Sequence, residues 1–195
     1  LPDMDKAVAR LRRALASKET IGIFGDFDAD GVTATALLVL ALQTLGATVL
    51  PYIPHRLEEG HGLNVGALRK LQEQGASVVI TADCGVSNAQ EVAEAQSWGL
   101  DVIITDHHSL PTTLPVGNAL ISPRLTHSVY PFVHLTGVGM ALKLIQGLYD
   151  SLGRSWDERL LALAAIGTVA DVAPLVGENR AIIKEGLKAL NGHPG

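Results

Sequence analysis

The sequence predicts an α/β fold, a parallel sheet of about five strands with helices on both faces. Short apolar runs alternate with helix-length segments along most of the chain, the signature of βαβ units. The runs IGIF, VVIT and DVIIT are apolar with little alternation, as expected of strands covered on both sides. Gly46, Gly75 and Gly99 each follow a helix-like segment, where a stop is needed before the next strand.

Taken in order, residues 4–16 place Val8, Leu11 and Leu15 near helical spacing, with basic residues between them. A strand is expected at 20–25, then an aspartate-rich loop, then a helix at 31–45. That helix is apolar nearly all round and therefore deeply buried. A second strand covers 47–53. The polar segment IPHRLEEGHGL makes a long loop before a helix at 63–74. A third strand at 78–81 ends in Ala-Asp-Cys-Gly. A helix at 88–98 leads to a fourth strand at 101–105, which ends in Asp-His-His. A fifth strand near 119–121 precedes an irregular stretch. Helices at 138–152, 157–168 and 178–190 complete a single domain spanning the chain, with the last helices packing at the edge of the site.

Composition narrows the function. The net charge of -5 argues against simple electrostatic gripping of nucleic acid, because such affinity comes from Lys and Arg neutralising phosphates. Carboxylates clustered around cations would reverse that argument. The single cysteine, Cys84, leaves no intrachain disulfide and no cysteine-based zinc cluster, so any metal must be held by Asp, Glu and His. Cys84 itself reads as a small buried residue, not a nucleophile. No run approaches 18 apolar residues, and the start LPDMDKAVARLRRAL lacks a signal-peptide layout. No membrane association and a cytoplasmic location are the expectation.

Three polar clusters, Asp26/Asp28/Asp30, Asp83 and Asp106/His107/His108, each follow a predicted strand. Ligands of open α/β sheets bind at that carboxyl edge, so the three clusters can share one crevice. In an extended segment, Asp28 and Asp30 would point the same way and present their carboxylates side by side. Together with Asp83 and an imidazole from His107 or His108 they make an oxygen-rich site suited to Mn²⁺ or Mg²⁺. Each cluster has an ordinary explanation when taken alone. Asp28 or Asp30 could be a turn or helix-cap residue, Asp83 a turn, and the two histidines one packed and one exposed. All three explanations must hold at once to remove the metal site.

Weaker signals surround this set. Leu135-Thr-Gly137-Val-Gly139 enters a helix and could offer N–H groups to an anion, although close helix packing explains its glycines equally well. Asp171 is either a helix-end residue or a carboxylate facing the site. His55, Arg56, Glu58, Glu59 and His61 lie on one loop, a solvated surface unless Arg56 holds a phosphate.

These residues resemble a known group. The Asp28-Ala-Asp30-Gly motif, Asp83 and the literal Asp106-His107-His108 triplet are similar to the DHH phosphoesterase superfamily. LPDMDKAV, GDFDADGVTATALL, IPHRLEEGHGL, TADCGVSN, TDHH, LTGVGMALKL and GTVADVAPL together resemble the RecJ single-strand-specific DNA exonucleases, in the same order from Leu1 to about residue 190. The resemblance implies two Mn²⁺ or Mg²⁺ ions, with Mn²⁺ preferred, held by Asp28, Asp30, Asp83, His107 and Asp171. His108 lies at or beside them. Asp83, His107, His108 and Asp171 would take the catalytic roles, with Asp26 and Asp106 in support; Arg56, Gly137 and Gly139 are candidates to hold phosphate on the strength of their loops alone.

The implied activity is 5′-to-3′ hydrolysis of single-stranded DNA to mononucleotides in repair and recombination, by in-line attack of activated water on phosphorus. Helicases or single-strand-binding proteins are implied as partners. Phe24 stands where many superfamily members place a histidine, leaving Asp26 or water to fill that coordination position. RecJ-like enzymes continue into a DHH-associated domain and often an OB-fold, both expected to be absent from this sequence. Other readings are hydrolysis of short oligoribonucleotides or cyclic dinucleotides, a pyrophosphatase, and a fold whose chemistry is idle.

Overall fold

A computed structural model describes residues 1–192. Its elements run α1 (Met4–Ala16), β1 (Thr20–Gly25), α2 (Ala29–Thr44), β2 (Thr48–Tyr52), α3 (Val65–Glu73), β3 (Ala76–Ala82), α4 (Ala89–Ser97), β4 (Asp101–Thr105), β5 (Ala119–Ile121), α5 (Gly137–Ser151), α6 (Leu160–Ala170) and α7 (Gly177–Gly192). The five strands form one sheet in the order β2-β1-β3-β4-β5, and every pairing is parallel.

Period-two alternation divides the core. Ile21, Ile23, Val78, Ile80 and Ile103 face a layer that includes α1, α2 and α5, with α6 packed on α2 and α7 on α6. Phe24, Val79, Val102 and Ile104 face the other side, where Leu68 and Leu71 of α3 and Val92 and Ala95 of α4 cover them. Strands loaded on both faces cannot show a polar side, which is why their sequences read as continuous apolar runs. α2 is apolar nearly all round because the sheet, α5 and α6 enclose it.

Several boundaries depart from expectation by two or three residues, α3 starting at Val65 and β3 at Ala76 among them, and two have a clear cause. α2 begins at Ala29, two residues early, because Asp28 caps it by accepting the Gly31 N–H at 2.9 Å. α6 begins at Leu160, because Asp157 first folds back on Arg159, accepting its backbone N–H. Among the described residues no helix is long and apolar enough to cross a membrane.

The strand order reverses direction between β1 and β3, and the ends of those two strands frame the crevice where such sheets bind ligands. Register aligns the strand ends. Gly25 pairs with Ala82, Ala82 with Thr105 and Thr105 with Ile121. The next residue of each strand therefore falls into one row, Asp26, Asp83, Asp106 and Ser122. Backbone hydrogen bonds extend the ladder through it: Asp26 N–H to Ala82 O at 3.1 Å, Asp83 N–H to Thr105 O at 3.1 Å and Asp106 N–H to Ile121 O at 3.2 Å.

Candidate metal centre

Asp26, Asp83 and Asp106 are all nearly inaccessible at the end of the sheet. Among the described residues no Lys or Arg forms an ion pair with any of them; their charged neighbours are histidines. Carboxylates so close and so poorly solvated repel one another unless protons or cations intervene. Burial pushes the Asp83 carboxyl up, to about 9, with Asp28, Asp106 and Asp26 adding repulsion against the pull of His108. Burial likewise raises Asp30, to about 7, reinforced by the charge of Asp83.

Asp83 adopts a left-handed backbone conformation, φ 66°, which Asp tolerates better than most side chains. Its Oδ1 lies 3.1 Å from His107 Nε2, yet both atoms are buried without a hydrogen-bond partner. Buried polar atoms left unpaired are costly, and a cation between carboxylate and imidazole removes that cost. The residues present therefore fit a metal ion.

Three groupings bring ligand atoms within 4.8 Å of one another: Asp26/Asp28/Asp83, Asp30/His107/Asp171 and Asp83/His107/His108. Asp83 belongs to two of them, and so does His107. Asp28 uses Oδ1 to cap α2 and keeps its second oxygen. Asp171 is the C-cap of α6 and joins Asp30 and His107 as well, so both readings of it hold together.

The expected side-by-side arrangement of Asp28 and Asp30 is not what the chain adopts. The helix already starts at Ala29, so Asp30 turns away from Asp28 into a different grouping. Asp30 accepts the N–H groups of Gly137 at 2.6 Å and Val138 at 2.9 Å. This also corrects the expected phosphate cradle at the start of α5. The Gly137 N–H is taken by Asp30 and the Gly139 N–H by Thr136 Oγ1, so neither is free for an external anion. Gly137 is needed for a steric reason, since a Cβ there would overlap the Asp83 side chain.

Asp106 holds neighbouring groups in place. It accepts the Val86 N–H at 2.8 Å, the His108 N–H at 2.9 Å and faces His108 Nδ1 at 2.8 Å. Burial alone would raise its carboxyl, but these bonds from His108 and Val86 override it and hold Asp106 below the usual carboxylate range. The same contact raises His108, to about 9. A carboxylate fixing one ring nitrogen leaves the other oriented for use.

The sequence places His61 on a solvated loop and leaves Asp26 as a support or as the filler of the coordination position at Phe24. In the structure Asp26 is grouped with Asp28 and Asp83, and His61 Nδ1 lies 3.0 Å from Asp26 Oδ2. The His61 ring packs on Phe27, centroids 4.1 Å apart, and Arg56 lies 5.4 Å from the same Phe27 ring. The loop carrying them is fastened by Glu59, which accepts from Tyr52 Oη, the His55 N–H and Asn64 Nδ2. No local pattern marks such a contact, because its partners are 35 residues apart. A cleft of about 390 Å³ opens here, lined by Asp26, His61, Asp83, Asp106 and His108 with the 84–88 turn. Cys84 lies in its wall, and burial pushes its thiol well up, as expected of an inert cysteine.

Comparison with known proteins finds the same fold. The DHH family, N-terminal domain, matches residues 20–168. The single-stranded-DNA-specific exonuclease RecJ of Bacillus subtilis is 47% identical over 96% of this chain, and that of Thermus thermophilus 43% identical over 97%. The chain spans only 23% and 28% of those two proteins. A crystal structure of exonuclease RecJ bound to manganese matches with a TM-score of 0.88 and 42% identity, covering 96% of this chain and 48% of that one. The Thermus thermophilus RecJ in complex with Mn²⁺ matches at 0.82 with 37% identity, over 96% and 27%. With the acids aligned across the strand ends and the Asp-His-His triplet among them, the chain belongs to the DHH family.

Proposed function

We propose that this chain carries the two-metal hydrolytic centre of a single-stranded-DNA-specific exonuclease, releasing mononucleotides from the 5′ end. The observation that supports the proposal is the pair of orphaned buried atoms, Asp83 Oδ1 and His107 Nε2, whose residues each belong to two ligand groupings. Asp26, Asp28 and Asp83 would hold one divalent ion; Asp30, His107 and Asp171 would hold the other, and Asp83 is also grouped with His107 and His108. Mn²⁺ or Mg²⁺ suits such oxygen-rich donors, and the RecJ structures matched above contain manganese. Two such ions, when bound, supply the positive charge that favours in-line attack of water on a phosphodiester.

The chain's own groups then have separate tasks. Asp106 orients His108, whose half-exposed ring stands at the cleft and can donate a proton to a phosphate or leaving oxygen. Gly137 and Val138 hold Asp30 in place through their N–H groups. Arg56, carried beside Phe27, is available to a phosphate.

The test incubates the chain with Mn²⁺ and 5′-labelled single-stranded DNA, duplex DNA, short RNA and cyclic dinucleotides. Release of 5′-mononucleotides from the single strand is expected, and turnover of dinucleotides alone would sink the proposal. Asp83→Ala should reduce the rate at least 100-fold, on the scale of losing a group that positions the reaction. Unchanged metal-dependent activity in that variant would refute the centre.

A further inference from the structure

We infer that Arg124 is a substrate-binding residue, contacting a phosphate beside the one being cut, on the β5 side of the cleft. The inference rests on the nuclease reading above and adds a residue that its motifs do not include. Ser122 ends the row of Asp26, Asp83 and Asp106, and Arg124 stands two residues further along. Ser122, Pro123 and Leu125 are buried, so Arg124 is an exposed side chain on a fixed segment. Its backbone N–H donates to Ser122 Oγ at 3.3 Å. Its Nε donates to the backbone carbonyl of His107 at 2.6 Å, which ties the guanidinium to the residue after Asp106.

Charge supports the assignment. Arg10, Arg13, Arg159, Lys6, Lys143 and Lys188 all pair with carboxylates. Among the described residues Arg124, like Arg56, forms no ion pair, although it stands beside the row of Asp26, Asp83 and Asp106; its side chain bonds only a neutral carbonyl. The Nε bond leaves the two terminal nitrogens for a phosphate, which a guanidinium grips in bidentate fashion. On the other side of the acidic row stands Arg56, beside Phe27. Arg56 thus stands on the β1 side and Arg124 on the β4–β5 side of the acidic row, and the two arginines bracket the centre. A single strand crossing the cleft would meet a cation at each end and the hydrolytic centre between them. Phosphate contacts of this kind fix register and carry no base preference.

The test measures binding of a labelled single-stranded oligonucleotide with hydrolysis-resistant phosphorothioate linkages, in Mn²⁺, across a salt series, for the unaltered chain, Arg124→Ala and Arg124→Lys. Arg124→Ala should weaken binding about tenfold, as loss of a charged hydrogen bond does. It should also make the slope of log affinity against log salt shallower by about 0.7, the value for one phosphate contact on a single strand. Arg124→Lys should restore the slope while recovering only part of the affinity. Mn²⁺ affinity, measured separately by calorimetry, should be unchanged in both variants. Equal affinity and slope in Arg124→Ala would overturn the inference. A loss of Mn²⁺ affinity in step with DNA affinity would overturn it too, by showing that Arg124 acts through His107. An unaltered chain that binds Mn²⁺ but no single strand would sink the nuclease reading together with this one.

Discussion

Gly137 shows how little room surrounds Asp83. A methyl group at this position would overlap the Asp83 carboxylate, and the glycine's own N–H already holds Asp30. Gly137→Ala should therefore cost about 1–3 kcal/mol of stability, the usual range for overpacking, and weaken Mn²⁺ binding, because Asp83 must move. Urea unfolding and metal titration of the variant check both effects; a variant with unaltered metal affinity would show that Asp83 need not hold its position. At this scale the sequence was legible in residue types more than in pairings. Asp28, Asp83 and the His107-His108 pair stand out from their places after strands, while Asp171 joins them only through the resemblance. The partners of Asp30 do not stand out, since the N–H groups it accepts are 107 and 108 residues away. The contact between Asp26 and His61 is hidden for the same reason. Their contact joins two loops, and no periodicity runs between them.

At the level of elements, strands and helices were readable because their periods are local, while the ends of helices were decided by side chains reaching across. The Asp28 cap moved the start of α2 and so separated Asp28 from Asp30. The end of α6 shows another such decision. Asp171 caps the helix, and the next residue, Val172, adopts φ 57° with its side chain 87% exposed. A β-branched residue in the left-handed region costs roughly 1–3 kcal/mol, and packing so exposed a side chain returns little of it. The strain persists because both flanks are fixed. Upstream, Gly167 packs so closely on Thr33 and Val138 that a Cβ there would overlap them. Downstream, the buried Asn179 donates to the Pro174 carbonyl at 3.1 Å and the His134 carbonyl at 2.6 Å. Val172→Gly should stabilise the chain by about 1 kcal/mol after allowing for the extra freedom of glycine in the unfolded state. Thermal unfolding reads this directly, and a lower midpoint would mean that the valine side chain makes a contact of greater worth than its exposure indicates.

For the whole molecule, the carboxylates at the centre link stability to pH and metal. Asp30 and Asp83 are raised in the fold, to about 7 and about 9, from ordinary carboxylate values near 3.8. Between those limits the folded chain without metal binds more protons than the unfolded chain. The stability these two groups contribute is therefore full below about pH 4 and declines as pH rises through 7 and 9. A divalent ion reverses the trend, because it binds the deprotonated carboxylates and competes with protons. Mn²⁺ should accordingly raise the unfolding midpoint more at pH 8 than at pH 6. At a hundredfold excess over its dissociation constant the gain is about 2.7 kcal/mol, or roughly 5–10 °C for a chain of this size. Scans with Mn²⁺ and with chelator at the two pH values measure the difference. Asp30→Asn combined with Asp83→Asn should flatten the pH dependence without metal and abolish the Mn²⁺ shift. A shift that survives in the double variant would place the ion elsewhere, and a shift equal at both pH values would show that the ion does not displace protons from these two carboxylates. The formal charge of -5 thus counts acids whose charge a bound cation would offset.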